Sequence, residues 1–364
     1  IYARGTKAVV TNCQITGNRA AFGGGTYLFE GSTILRGNLV AGNDATINGG
    51  GIYLWRGDPE LTGNRVTKNH GEYGGGLYVY QSAAAVRGND VISNAAGYGA
   101  GVYLLGGKPA LEENAIALNL AMNNGGGLYF WSSDGSLEGN SIIDNRASSS
   151  GGGVYVLRDA PSLRANTVAG SAAGWGAGIY LWDSQASVRG NTITDNTAQW
   201  YGGGVRIKKG APDLSGNEVL RNTGKWGAGL HVEESGATLS GNVISTNEGD
   251  YGAGLYVRNG APLVRENSVL TNTARDNGGG VALEESQAAL EHNAISGNRA
   301  WQVAGGILNQ AGGVLRVEDS VLEDNRAVTE IDEIGEKYAI RGGFEICMVR
   351  DSYGGGLYNA AGAV

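Results

Sequence analysis

Five side chains stand out as candidates for catalysis because they recur at matching places in a repeating sequence. Arg206, His231 and Tyr256 follow one another at intervals of about 25 residues, and Glu233 and Arg258 stand two residues after His231 and Tyr256. On one face they would hold the parts for removing a proton beside a uronate. Arg206 or Arg258 would neutralise the carboxylate, and His231 or Tyr256 would take the proton. Glu233 with Glu234 offers instead a carboxylate pair for glycoside hydrolysis. The same positions have a plainer reading. Lys208, Glu233, Arg258 and Glu284 alternate in sign at successive repeats, which makes a salt-bridge ladder of modest stabilisation per exposed pair. His70 and His292 are isolated in the sequence, no His/Cys/Asp cluster has metal-ligand spacing, and the glycine-aspartate calcium nonapeptide does not occur. Neither a metal nor another cofactor is expected.

A second set of residues suits binding. One file runs Tyr27, Tyr53, Tyr78, Tyr103, Tyr129, Tyr155 and Tyr180. Its neighbour runs Phe29, Trp55, Tyr80, Leu105, Trp131, Leu157 and Trp182. A third, before the glycines, contains Phe22, Tyr73, Tyr98, Trp175, Tyr201, Trp226, Tyr251 and Tyr353. Strand alternation turns the first two files outward. The expected ligand-binding face therefore comprises Tyr53, Trp55, Tyr78, Tyr80, Tyr103, Tyr129, Trp131, Tyr155, Tyr180 and Trp182, an exposed band on which sugar rings or a protein surface can stack. The competing reading is structural: aromatic neighbours on adjacent strands stabilise each other by roughly 0.2–1 kcal/mol per pair.

The elements that position these files are set by a glycine triplet. It occurs as Gly23-Gly24-Gly25, Gly49-Gly50-Gly51 and Gly74-Gly75-Gly76 and continues to Gly305-Gly306, with copies about 25 or 26 residues apart. Within one period, Ile52-Tyr53-Leu54-Trp55 alternates as a first strand, and Gly57-Asp58-Pro59 turns the chain. Glu60-Leu61-Thr62 and Arg65-Val66-Thr67 are second and third short strands, ended by Asn64 and Asn69. No segment has a helical period, which argues against leucine-rich repeats, and propeller blades need about 40 residues or more. The pattern predicts an all-β, right-handed parallel β-helix with three short strands per coil and roughly 13 coils. Asn recurs at two corners, as in Asn38, Asn64, Asn89 and in Asn43, Asn69, Asn94, where stacked amides can bond from coil to coil. These are structural columns rather than ligands. The middle glycine gives way to Ala at Ala100, Ala177, Ala228 and Ala253, so positions one and three carry the stricter demand.

Composition narrows the function classes. The 364 residues include 65 glycines and carry a net charge of −8. No basic stripe is present, so nucleic acid is not an expected partner. No apolar run is long enough to span a bilayer. Cys13 and Cys347 fall in the first and last coils, too far apart along a stack for an intrachain disulfide.

The segments Ile142-Ile143-Asp144-Asn145-Arg146-Ala147 before Gly151-Gly152-Gly153-Val154, and Ile295-Ser296-Gly297-Asn298-Arg299-Ala300 before Gly305-Gly306-Ile307, carry a resemblance. They resemble the Asn-x-Ala and Gly-Gly-apolar repeats of the chlamydial polymorphic outer-membrane protein family, within the pectate-lyase-like superfamily. The resemblance covers nearly the whole chain and is specific for fold rather than for function. It implies a right-handed parallel β-helix displayed at a cell surface, where several members act as adhesins. The chain departs from that pattern in having Ile or Val where the family often has Phe, and an autotransporter barrel does not occur within these residues.

The expected organisation is β-helix coils over 1–325, an insertion or protruding loop over 326–353, and the start of a further coil over 354–364, the whole being a piece of a longer array. The expected protein is secreted or on the outer cell surface. It binds polysaccharide or a host or cell-surface protein, or serves as an assembly unit through head-to-tail self-association. The alternative is a polysaccharide lyase, epimerase or glycoside hydrolase with a cleft near residues 206–258.

Overall fold

A computed structural model describes residues 1–311 and 313–328, and beyond them the backbone of the short strands Tyr338–Ala339, Phe344–Glu345 and Leu357–Ala360. The fold is the all-β right-handed parallel β-helix, of about 12 turns, with no helix among the described residues. It divides into two compact units, Ile1–Tyr180 with Ser184–Ser187, and Leu181–Asp183 with Val188–Val364.

In the first unit the strands fall where the alternation places them. Ile52–Trp55, Glu60–Thr62 and Arg65–Thr67 are three successive strands of one coil. Each pairs in parallel with its counterparts in the coils before and after, so equivalent residues stack: Tyr27 on Tyr53, Tyr53 on Tyr78, Tyr78 on Tyr103, Tyr103 on Tyr129, and Tyr129 on Tyr155. Ile52, Leu54, Leu61 and Val66 point inward and are fully buried. Burial of whole side chains of this kind is worth roughly 1.5–3 kcal/mol each. The second unit repeats the scheme, with Arg206, His231, Tyr256, Ala282 and Leu308 in one file.

The corners explain the glycines and asparagines. Gly49 turns the chain with φ +68°, a left-handed conformation open to glycine without strain. The third glycine is required for space. A Cβ on Gly51 would lie 2.7 Å from the Gly76 carbonyl oxygen and 3.0 Å from Asn69 Nδ2. Asn64 Nδ2 donates to Asn89 Oδ1 at 2.9 Å and to the Leu35 carbonyl at 2.8 Å. Asn64 Oδ1 accepts from Asn38 Nδ2 at 2.9 Å and from the Asn38 backbone N–H at 3.0 Å. Each buried amide is thus satisfied by the coils on either side, as burial of a polar group demands.

A fourth strand in most coils is the main addition to the expected cross-section. The residues before the glycine triplet pair with one another, as in Asp44–Asn48, His70–Tyr73 and Ala95–Tyr98 in the first unit and Glu248–Tyr251 and Thr273–Asn277 in the second. Sequence alternation missed it because these segments are short and polar, and a bulge shifts the register between His70 and Tyr73.

The insertion expected over 326–353 and the further coil expected over 354–364 lie for the most part outside the described residues, as does Cys347. Cys13 is an exposed free thiol.

Candidate functional site

The fourth strand changes the meaning of the aromatic files. Tyrosines that leave the first sheet on its outer side enter the re-entrant angle between the first and fourth sheets. Aromatic side chains at the end of the fourth strands close over them. Phe22 stacks on Tyr53 at 5.8 Å, Tyr73 meets Tyr103 edge-on at 5.4 Å, and Tyr98 meets Tyr129 at 6.0 Å. Along the file, Tyr78 and Tyr103 stack at 5.2 Å and Tyr129 and Tyr155 at 4.7 Å. Tyr53, Tyr78, Tyr103, Tyr129, Tyr155 and Tyr180 are only 2–5% exposed and form a second apolar cluster outside the coil core. They point outward but are not on the surface, and the expected binding face loses them for that reason. Burial raises the pKa of Tyr53, Tyr78, Tyr103 and Tyr129, so these phenols stay neutral.

What the surface keeps is the neighbouring file. In the first unit, Phe29, Trp55, Tyr80, Leu105 and Leu157 are half-buried and Trp131 is 42% exposed. Phe29 and Trp55 lie 5.3 Å apart, and Trp55 and Tyr80 meet edge-on at 5.4 Å. The rings brace one another and stay partly exposed, while the Trp55 indole nitrogen is buried without a hydrogen-bond partner. Trp182, which falls in the second unit, is itself 40% exposed.

In the second unit the same re-entrant angle holds the catalytic candidates. His231 lies between the rings of Tyr201 and Tyr256, at 4.8 and 5.2 Å, and is 1% exposed. Burial pushes its pKa well down, and the charges of Arg206, Arg258 and Lys208 push it further, so the imidazole is neutral. The Arg206 guanidinium sits over the Tyr201 ring at 4.6 Å, and its Nη2 donates to Glu233 Oε2 at 2.7 Å. Lys208 Nζ reaches the other Glu233 oxygen at 3.5 Å. Burial alone would raise the Glu233 carboxyl, but the Arg206 hydrogen bond and charge, with help from Lys208, hold it below its ordinary value. The Tyr256 hydroxyl donates to Glu284, and burial followed by that carboxylate raises its pKa.

The structure therefore brings Arg206, His231, Tyr256 and Glu233 together as expected, but as packing. A general base must reach its proton; His231 is closed off between the Tyr201 and Tyr256 rings, and Tyr256 is buried between His231 and Ala282. The cleft expected near residues 206–258 is not formed by these side chains. Arg258 is exposed, beside Glu233 and Glu284 in the strand register, and the expected charge ladder is closed at Lys208–Glu233. Among the described residues no group of three or more His, Cys, Asp or Glu side chains could hold a metal ion. No helix there is long and apolar enough to cross a membrane.

One titratable residue went unnoticed in the sequence. Asp159 occupies a corner position that holds buried Ser82, Ser133 and Ser184 and an exposed Gly107 elsewhere in the first unit. The serines use that position to bond across coils; Ser82 Oγ donates to the Gly57 carbonyl and Ser184 Oγ to the Asp159 carbonyl, both at 2.7 Å. Asp159 brings a carboxyl group that is 5% exposed and approached by the Ser133 and Ser132 amides without a full hydrogen bond. Burial raises its pKa to about 7, the Asp134 charge adds to the rise, and the two amides offset part of it. The signal was present: a lone acid in a column of Ser and Gly.

A family model described as the right handed beta helix region matches residues 1–121, 98–244 and 177–343. The matches span most of the sequence, and the chain belongs to that family. No curated protein matches the chain. The family match supports a β-helix repeat in general and does not single out the chlamydial polymorphic type.

Proposed function

We propose that this protein is a secreted or surface-displayed binding solenoid that holds polysaccharide through the outer aromatic file of its first unit, in the manner of an adhesin. The file Phe29, Trp55, Tyr80, Leu105, Trp131 and Leu157 carries the reading. Its positions repeat at the strand spacing of about 4.8 Å on a hydrogen-bonded sheet; Phe29, Trp55 and Tyr80 form a run of three rings, and Trp131 stands between Leu105 and Leu157. Such rings are ordered before a ligand arrives, which lowers the entropy lost on binding. Trp and Tyr suit half-wet contacts because an apolar face and a polar atom share one rigid side chain. The resemblance of the Asn-x-Ala and Gly-Gly-apolar segments to chlamydial polymorphic outer-membrane proteins agrees with this role. The lyase, epimerase or hydrolase alternative gains nothing from Arg206, His231 and Tyr256, because all three are buried.

The test is retention of wild-type protein and the Trp55→Ala/Trp131→Ala variant on immobilised polysaccharides. The variant should lose at least tenfold in retention while keeping its circular dichroism spectrum. Equal retention would remove the aromatic file from the function.

A further inference from the structure

The second unit carries an open groove that the aromatic files do not explain. On its corner and fourth strands, Thr246, Asn247, Glu248, Thr271, Thr273, Arg275 and Trp301 surround a hollow of about 650 Å³. That volume is in the range of small-ligand sites. Trp301 is 54% exposed, more than Trp131, Trp175 or Trp182. The Arg299 guanidinium lies 5.6 Å from its ring centroid. In the coil before the indole, Arg275 Nη2 donates to Glu248 Oε1 at 2.8 Å. A smaller hollow of about 180 Å³ adjoins on the far side of this pair, bounded by Gln199, Lys225 and Asp250, where Lys225 sits over the Trp200 ring at 4.1 Å. Because equivalent positions stack by one coil, Lys225, Asp250, Arg275 and Trp301 form one outward file of roughly 14 Å.

We infer that this groove is a binding site for a neutral oligosaccharide, with Trp301 as the stacking platform and the Glu248–Arg275 pair as the hydroxyl reader. An exposed indole offers a flat apolar face for the C–H side of a sugar ring. A carboxylate and a guanidinium held side by side present an acceptor and donors together, the complement of neighbouring hydroxyl groups. Thr246, Thr271 and Thr273 line the wall with further small polar groups. The charge argues for a neutral ligand. Glu248 and Arg275 cancel within the lining of the larger hollow, the Arg299 guanidinium is held against the Trp301 ring, and the whole chain is at −8, which disfavours polyanions. The groove is lined by residues of the second unit and shares none with the aromatic file of the first.

The probes are cellohexaose, laminarihexaose, maltohexaose and xylohexaose, with trigalacturonate as the acidic arm, titrated into the full chain by calorimetry. At least one neutral oligomer should bind, Trp301→Ala should weaken it at least tenfold, and Arg275→Ala should weaken it severalfold. Both side chains are exposed, so unchanged thermal unfolding of the variants serves as the folding control. The inference is overturned if no neutral oligomer binds, if Trp301→Ala binds as wild type does, or if trigalacturonate binds more tightly than every neutral oligomer. Loss of binding in Trp55→Ala/Trp131→Ala with retention in Trp301→Ala would also overturn it, while leaving the proposed function standing.

Discussion

Replacing Asp159 with serine should stabilise the protein and remove a pH dependence that the wild type carries. The unfolded chain loses the Asp159 proton near pH 4, whereas burial holds it in the folded state to about pH 7. Between those values the folded state binds more protons than the unfolded state, so stability falls as pH rises. The fall amounts to about 1.4 kcal/mol per pH unit, about 4 kcal/mol across the window, and levels off above about pH 7. Asp159→Ser restores the residue that Ser82, Ser133 and Ser184 supply at the same corner, and gives it the Ser133 carbonyl as acceptor by analogy with Ser184 and Asp159. The assay is urea unfolding of both proteins at half-unit steps from pH 4 to pH 8.5. The two curves should nearly coincide at pH 4 and diverge steadily to pH 7, with the variant the more stable. Because each coil contacts only its neighbours, the penalty is local, and unfolding should begin near this coil at high pH. A wild-type-to-variant gap that stays constant across the range would refute the reasoning.

Two further outcomes follow from the buried polar columns. Asn64→Ala strips partners from the Asn38 amide and backbone N–H, the Leu35 carbonyl and the Asn89 side-chain oxygen, and should lower unfolding stability by roughly 3–5 kcal/mol in urea titrations; a change under about 1 kcal/mol would mean that the ladder is decorative. Glu233→Ala takes from the buried Arg206 a half-buried carboxylate partner, which should destabilise by about 3 kcal/mol at pH 7. Since Glu233 titrates below its ordinary value, that contribution is present above the unfolded pKa and fades as pH drops through the folded one, so wild type and variant should converge in acid unfolding experiments.

Much of the architecture is legible from spacing alone. The triplet period gives the coil, the alternation in Ile52–Trp55 gives the inward pair, and recurrent Asn64 and Asn69 give the corners. These features depend on chemistry within one coil and on a repeat that copies it, so a linear reading can recover them. The site was less legible. Alternation correctly sends Tyr103 and His231 to the outer side of their strands, but outer is not the same as exposed. Whether Phe22, Tyr73, Tyr98 and Tyr201 cover that side depends on a fourth strand folding back against the first sheet.

The winding into parallel coils and the membership of each file are set by the order of residues, because hydrogen-bonded stacking at a fixed period forces like onto like. Tertiary structure alone decided which files meet water. It buried the tyrosines and the Arg206–His231–Tyr256 group, left Trp131 and Trp301 partly open, and placed the Asp159 carboxyl out of reach of solvent. The physical reason is that solvent exposure belongs to the angle between sheets, which no single strand encodes.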